Sequence, residues 1–262
     1  MKIVTLMENT VCQENLAAEH GLSLYIETGS HRILFDAGQT SAFADNAERL
    51  GVDLASVDMA ILSHGHYDHG GGLERFLEVN QTAPIYLRRD SFGEHFNGNE
   101  KYIGLAESLR ESDRLIFTDD ALELAPGITL RSCNELARPH PFPSFGLKLR
   151  DHGQARPDPF LHEQYLIVEE HGKRTVISGC SHKGILNILH WFSPDVLIGG
   201  FHFMKLDPVQ DARALTDAAA ALMSHPTTYY TGHCTGSEQY TVLKAALDER
   251  LDYLHTGTVI TI

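Results

Sequence analysis

The chain opens with short apolar runs cut by turn signals: KIVTLM, then LSLYIET, then Gly29-Ser30, then RILFDAG. Runs of that length bounded by Gly, Ser and Asp predict an antiparallel series of strands over the first 37 residues. In SAFADNAERLGV the period changes. Phe43, Ala47 and Leu50 recur at helical spacing and Gly51 follows, which predicts a helix with a glycine stop. MAILS then reads as a buried strand, GLERFLEVN as a helix and APIYLRR as the next strand. Strand patterns resume at RLIFTD, ELAPGITLRS and FGLKLRD, and QYLIVEE with RTVISG predicts a hairpin turning at His171-Gly172. The last third pairs DVLIGGFHF with the helical ALTDAAAALMS, and TYYTGHCTG with the helical TVLKAALDERL.

Two halves, each with strands first and helices after and no linker between them, predict an α/β fold: an αββα sandwich of two mixed sheets flanked by helices. The length of 262 residues and 42% hydrophobic content fit one domain over 1–262. AILSHGHYDHGGGL and VISGCSHKGILNIL both run from an apolar strand through Ser and candidate ligands into a glycine-started helix, a faint internal echo. Residues 91–114 interrupt the pattern with polar residues and glycines. A connection that long predicts a functional loop, a lid or insert carrying Phe92, His95, Phe96 and Tyr102.

A formal charge of -14 opposes binding to nucleic acid, which needs clustered Lys and Arg. The first apolar stretch stops at Glu8 and Asn9, too short for a signal peptide, and no stretch approaches a membrane span. Cys12, Cys133, Cys180 and Cys234 form no CxxC pair, which fits a reducing cytoplasm, so a cytoplasmic location is expected. The charge is uneven: Arg131, Arg138, Lys148, Arg150 and Arg156 outnumber Glu135 and Asp151 in their stretch. That favours a small anionic substrate, with Arg138 and Lys148 as candidate contacts.

The densest chemistry lies in ILSHGHYDHGGGL, where His64, His66, Asp68 and His69 fall within six positions and three glycines follow. Two residues apart in extended chain, His64 and His66 project to one side, half of a tetrahedral site for zinc or a similar ion. Asp68 and His69 sit in the turn, where they can aim at a second ion, and the glycines let backbone pack closely behind. His20, His31, His171, His190, His225 and His255 lack a ligand-spaced neighbour and are expected to be solvated.

SHGHYDHGGG resembles the H-x-H-x-D-H signature of the metallo-β-lactamase superfamily, whose fold is the αββα sandwich. Glu8-Asn9-Thr10, GLSLYIET, ILFDAGQT, YIG, HEQYL, ISGCSHKGILNI, GGFHF and TGHCTG extend the likeness over nearly the whole chain. They resemble a branch of metal-dependent hydrolases that includes relatives of the archaeal dihydropterin:ribofuranosylaminobenzene 5'-phosphate synthase. The resemblance implies two divalent metal ions, zinc foremost, with iron, manganese or nickel as alternatives. His64 and His66 would hold the first, and Asp68, His69 and the late His233 the second. It also exposes two departures. Cys180 stands where the family has its bridging aspartate, a soft ligand or a packed thiol. The Gly-His that supplies the third ligand of the first metal is missing, and His182 or His162 would replace it. His202 ends a strand as His233 does, so it is a candidate catalytic or substrate contact, against the alternative of a core histidine. Asn9 and Asp36 are candidates for orienting ligands or, for Asn9, touching substrate.

Such a site supplies hydroxide at neutral pH and polarises a carbonyl or phosphoryl oxygen. Hydrolysis of a small anionic ester, lactone or phosphoester is the expected reaction, with Asp68 among its catalytic groups. The alternatives are a pterin-linked transferase, which the resemblance implies, and a metal-binding or sensing module, against which open coordination positions count.

Overall fold

In the computed structural model, which describes residues 1–262, the apolar runs become strands whose side chains alternate between two cores. Ile33 and Phe35 point into the space between the sheets while Leu34 points out; Met59 and Ile61 point in while Ala60 points out. The second sheet repeats this, with Leu166 and Val168 in and Ile167 out. Burial on both faces is why these strands read as continuous apolar runs.

The first sheet runs in the order Val259–Thr261, Lys2–Met7, Ser23–Glu27, Arg32–Phe35, Met59–Ile61, Ile85–Arg88, Leu115–Thr118. The second runs Leu251–Tyr253, Thr228–Thr231, Val196–Ile198, Lys173–Ile177, Tyr165–Glu170, Ile128–Arg131, Ala121–Ala125. Sixteen buried residues fill the space between them. Outside the first sheet pack Phe43 and Ala47 of helix Ala42–Arg49 and Leu73 and Phe76 of helix Leu73–Val79. Outside the second pack Ile185 and Ile188 of Ile185–Phe192, Leu215 and Leu222 of Ala212–Met223, and Leu243 of Ser237–Leu247. Each such fully buried Leu, Ile or Phe side chain contributes about 1.5–3 kcal/mol. The layers are therefore the expected αββα sandwich. No helix is long and apolar enough to cross a membrane.

Parallel pairing positions the chemistry. Arg32–Phe35 runs parallel to Met59–Ile61, and Lys173–Ile177, Val196–Ile198 and Thr228–Thr231 run parallel to one another. The loops leaving their carboxyl ends therefore gather along one edge, as in open α/β sheets. The hairpin at His171 and Gly172 forms as expected, both residues taking the positive φ (53° and 75°) of a tight two-residue turn.

Two elements differ from the pattern read in the chain. Leu147–Asp151 (within FGLKLRD) leaves the sandwich for a third, antiparallel sheet in the order Gln154–Pro157, Leu147–Asp151, Glu94–Asn97, Lys101–Tyr102. The 91–114 connection is thereby largely built into a wall: Phe92 joins the first outer core, and His95 and Phe96 are buried. Its strands are too short for alternation to show, and their partner is distant in sequence. Within TVLKAALDERL the helix stops at Leu247, and Leu251–Tyr253 becomes an edge strand.

The glycines after His69 are steric requirements. A Cβ on Gly72 would lie 2.7 Å from both the Phe43 ring and the Thr40 carbonyl oxygen, and against the Ala37 carbonyl. Gly72→Ala is expected to cost on the order of 1–3 kcal/mol, as overpacking does. Urea denaturation measures this, and wild-type stability in the variant would contradict the close packing.

Candidate metal centre

The loop after Met59–Ile61 carries Ser63 to His66, and a single helical turn, Tyr67–Gly70, presents Asp68 and His69. Cys180 and His182 follow Lys173–Ile177, His202 follows Val196–Ile198, His233 follows Thr228–Thr231, and Asn9 follows Lys2–Met7. Apart from half-buried Asn9, all of these named ligand candidates are buried, none above 8% exposed. Around them Asp36, Ser181, His202 and His233 hold φ at 58°, 57°, 56° and 50°. Left-handed backbone at non-glycine residues costs about 1–3 kcal/mol each and collects at functional sites.

Two clusters emerge. His64 Nε2 and His182 Nε2 face each other at 3.2 Å, with His66 completing the set. Beside them His69 Nε2 lies 3.2 Å from His233 Nε2, and Asp68 Oδ2 is 3.4 Å from His233 Nε2 and 3.8 Å from His69 Nε2. Cys180 Sγ is 3.1 Å from His69 Nε2 and groups with His64 and His69. The expected residues of both halves thus come together.

Hydrogen bonds fix which nitrogen of three rings faces inward. Asp36 Oδ2 accepts from His69 Nδ1 at 2.7 Å and from the Ser63 hydroxyl at 2.7 Å. With its proton committed to Asp36, Ser63 Oγ can only accept from His64 Nδ1, 2.8 Å away. Asn9 Oδ1 accepts from His233 Nδ1 at 2.9 Å. His64, His69 and His233 therefore all turn Nε2 to the cavity, with the lone pair a cation needs. These bonds give Asn9 an orienting place rather than a free amide for substrate.

His162 is arranged differently. The Gly65 N–H donates to His162 Nδ1 at 2.9 Å, so the ring's proton sits on Nε2, which faces Asp158 Oδ2 at 3.4 Å. His95 Nδ1 donates to the same oxygen at 2.7 Å. His162 thus offers no lone pair to the cavity and buttresses the loop of His64 and His66 instead, while His182 faces His64 directly. His182 is held by Glu163, whose carboxylate accepts from the N–H groups of His182 (2.6 Å) and Lys183 (3.0 Å) and from the Tyr165 hydroxyl (2.6 Å).

Burial, reinforced by neighbouring imidazoles, holds His64, His66 and His182 well below the usual histidine range, so these rings are neutral. Burial also opposes charge on His69, yet Asp36 and Asp68 raise it to about 9. Burial favours a neutral Asp68, but His69 above all drives it well below the usual carboxylate range. A proton at His69 occupies the place a cation would take.

The cleft above these groups holds about 180 Å³ and is lined among others by Tyr67, Lys101, His202 and Lys205. Arg138 and Lys148 do not line it. Along Leu147–Asp151 the side chains alternate, so Leu147 faces the cleft while Lys148 pairs with Asn99. Arg138 is exposed and donates to the Pro159 carbonyl. His20, expected to be solvated, lines the cleft with Nε2 3.3 Å from Asp68 Oδ2. Lys101, Lys205 and Cys234 also line the cleft, and Glu163 and Asp158 support it from behind. Nothing local marks them, although Glu163 and Cys234 lie inside the HEQYL and TGHCTG segments.

The donor set fits transition-metal ions. Two nitrogens on one tetrahedral zinc lie about 3.3 Å apart, close to the 3.2 Å of both histidine pairs. His66 Nε2 is buried without a partner.

A family model described as the metallo-beta-lactamase superfamily matches residues 17–233. The chain is 29% identical to the 7,8-dihydropterin-6-methyl-4-(beta-D-ribofuranosyl)-aminobenzene-5'-phosphate synthase of Methanocaldococcus jannaschii, over 99% of this chain and 96% of that protein. Among solved structures it resembles Tm1679, described as a metal-dependent hydrolase of the beta-lactamase superfamily, with a TM-score of 0.85 and 27% identity over 100% of this chain and 99% of that one. Zn(2+)-bound PqqB from Methylobacterium extorquens shares the fold, with a TM-score of 0.62 and 14% identity over 100% of both chains.

Lys183 behind His182 gives a pH test. It is 1% exposed, its Nζ donates to the carbonyls of Ser132 (2.7 Å) and Glu163 (2.9 Å), and burial lowers it from 10.5 to about 8. Between those values the unfolded chain keeps a proton that the folded chain has lost, so this group's contribution to stability rises with pH. Relative to Lys183→Met, metal-free wild type should gain stability between pH 8 and 10.5, by up to about 1.4 kcal/mol per unit. A pH-independent difference in unfolding free energy would contradict this.

Proposed function

The chain belongs to the metallo-beta-lactamase superfamily, and from that premise we propose that it is a metal-dependent hydrolase of a small anionic ester, lactone or phosphoester. His64, His66 and His182 would hold one transition-metal ion and Asp68, His69 and His233 a second, zinc foremost, with Cys180 within reach of both. One observation carries the reading: Asp36, Ser63 and Asn9 lock His64, His69 and His233 so that their Nε2 lone pairs share a cavity. The Tm1679 likeness supports it. When bound, such ions supply hydroxide at neutral pH and polarise the scissile carbonyl or phosphoryl group.

The chain's own groups do the rest. Asp68, ionised and lining the cleft, orients the attacking water by accepting a hydrogen bond from it. Lys101, whose Nζ is 3.2 Å from the Tyr67 hydroxyl, and Lys205 offer positive charge to an anionic substrate. Ile103 and Leu147 of the third-sheet wall limit water, which strengthens electrostatics inside.

The likeness to the archaeal synthase over nearly the full chain supports a second reading, a pterin-linked transferase in which another substrate takes the place of water. Screening with and without an arylamine phosphate acceptor separates the two, since only a transferase needs the acceptor for product.

Reconstituted protein is expected to bind transition metal through the histidine sets and to turn over a small anionic ester or phosphoester. Asp68→Ala should lower kcat by about 10²–10⁴-fold, whereas Cys12→Ser, on the surface, should change nothing. Elemental analysis finding no zinc, iron, manganese or nickel after reconstitution would overturn the metal reading. Full activity in Asp68→Ala would remove Asp68 from the mechanism.

A further inference from the structure

Three neighbouring parallel strands of the second sheet, Lys173–Ile177, Val196–Ile198 and Thr228–Thr231, each end in a loop that delivers one more donor to the cleft: Cys180, His202 and Cys234. Their ligand atoms all lie within 4.8 Å of one another, and the three residues are 3%, 7% and 2% exposed. Neither His202 nor Cys234 belongs to the two histidine sets above. Both ring nitrogens of His202 are buried without a hydrogen-bond partner. An unsatisfied buried polar group costs about 1–3 kcal/mol, so a ring with two calls for a ligand.

The backbone is shaped to this cluster. Gly199 holds φ at 136°, His202 at 56° and His233 at 50°, bending two strand ends inward. A Cβ on Gly200 would run into Cys234 Sγ, so that glycine makes room for the sulfur. All three side chains line the cleft, which leaves a further coordination position open to it.

We propose that Cys180, His202 and Cys234 form a third cation position, taking one thiophilic divalent ion such as zinc. Two thiolates and one imidazole with an open fourth place are a zinc-type donor set, and thiolates select against magnesium and manganese. Binding takes both sulfurs as thiolates, and any thiol proton still present leaves to solvent. Cys180 also stands 3.1 Å from His69 Nε2, so its sulfur joins this position to the histidine-rich pair. The proposal is independent of whether that pair performs hydrolysis.

Metal-free protein titrated with Co²⁺ tests it, read by the thiolate-to-cobalt charge-transfer band and by Co²⁺ bound per chain. Cys234→Ser should lose one equivalent of ion and about half of the band, because thiolate is the absorbing ligand. His202→Ala should weaken binding at the band-giving position by no less than the roughly 10–100-fold that loss of an outer hydrogen-bond partner costs a site. Asp68→Ala, which disturbs only the second histidine set, should keep the Cys234-dependent band. An unchanged band and stoichiometry in Cys234→Ser would overturn the proposal. If circular dichroism shows that variant unfolded, unchanged Co²⁺ affinity in His202→Ala overturns it instead. A wild-type chain that binds a single Co²⁺ whose band is cut in Cys234→Ser supports this position and overturns the two-ion reading; a single Co²⁺ whose band Cys234→Ser leaves intact overturns this proposal, so the two fail separately.

Discussion

One buried carboxylate organises the centre. Asp36, 1% exposed, accepts from the Ser63 N–H, the Ser63 hydroxyl and His69 Nδ1, each at 2.7 Å. It thereby ties the end of Arg32–Phe35 to the loop after Met59–Ile61 and to the helical turn beyond. A buried charge is tolerable only when its lone pairs are filled, and filling them sets the tautomer of His69 directly and that of His64 through Ser63. Asn9 does the same for His233 from the other side of the cavity. These candidate ligands are therefore oriented by the protein's own hydrogen bonds.

Orientation of this kind works against the stability of the metal-free protein. Neutral imidazoles buried together at His64, His66 and His182, unpaired nitrogens on His66 and His202, and left-handed backbone at Asp36, Ser181, His202 and His233 all cost free energy. Three extensive hydrophobic clusters on either side of and between the sheets offset them. The Glu163–Lys183 pair and the His95–Asp158–His162 chain then stiffen the loops from behind. Rigidity comes from the scaffold and chemistry from its edge, the division of labour that places functional groups on loops held by sheets.

The third sheet gives the cleft its wall. Pairing Leu147↔Asn97 and Leu149↔His95 brings the middle of the chain over His66. The same strand then contributes Leu147 to the cleft while its charged neighbour Lys148 turns away. Positive charge reaches the cleft from Lys101 and Lys205 instead, two isolated lysines that a count of local charge passes over.

The layered fold is legible along the chain, because two-residue alternation and helical spacing are local properties that each segment displays alone. So is the cluster His64, His66, Asp68 and His69, since one strand end and one turn deliver all four. The choice between His162 and His182 rests on long-range contacts. Both lie at plausible positions along the chain, and what separates them is a Gly65 N–H and an Asp158 carboxylate brought from elsewhere. The gathering of Cys180, His202 and Cys234 was equally hidden, because it depends on three strands pairing in parallel register. A ring's role is set by what its second nitrogen touches, and in this protein those partners are long-range contacts that no spacing rule encodes.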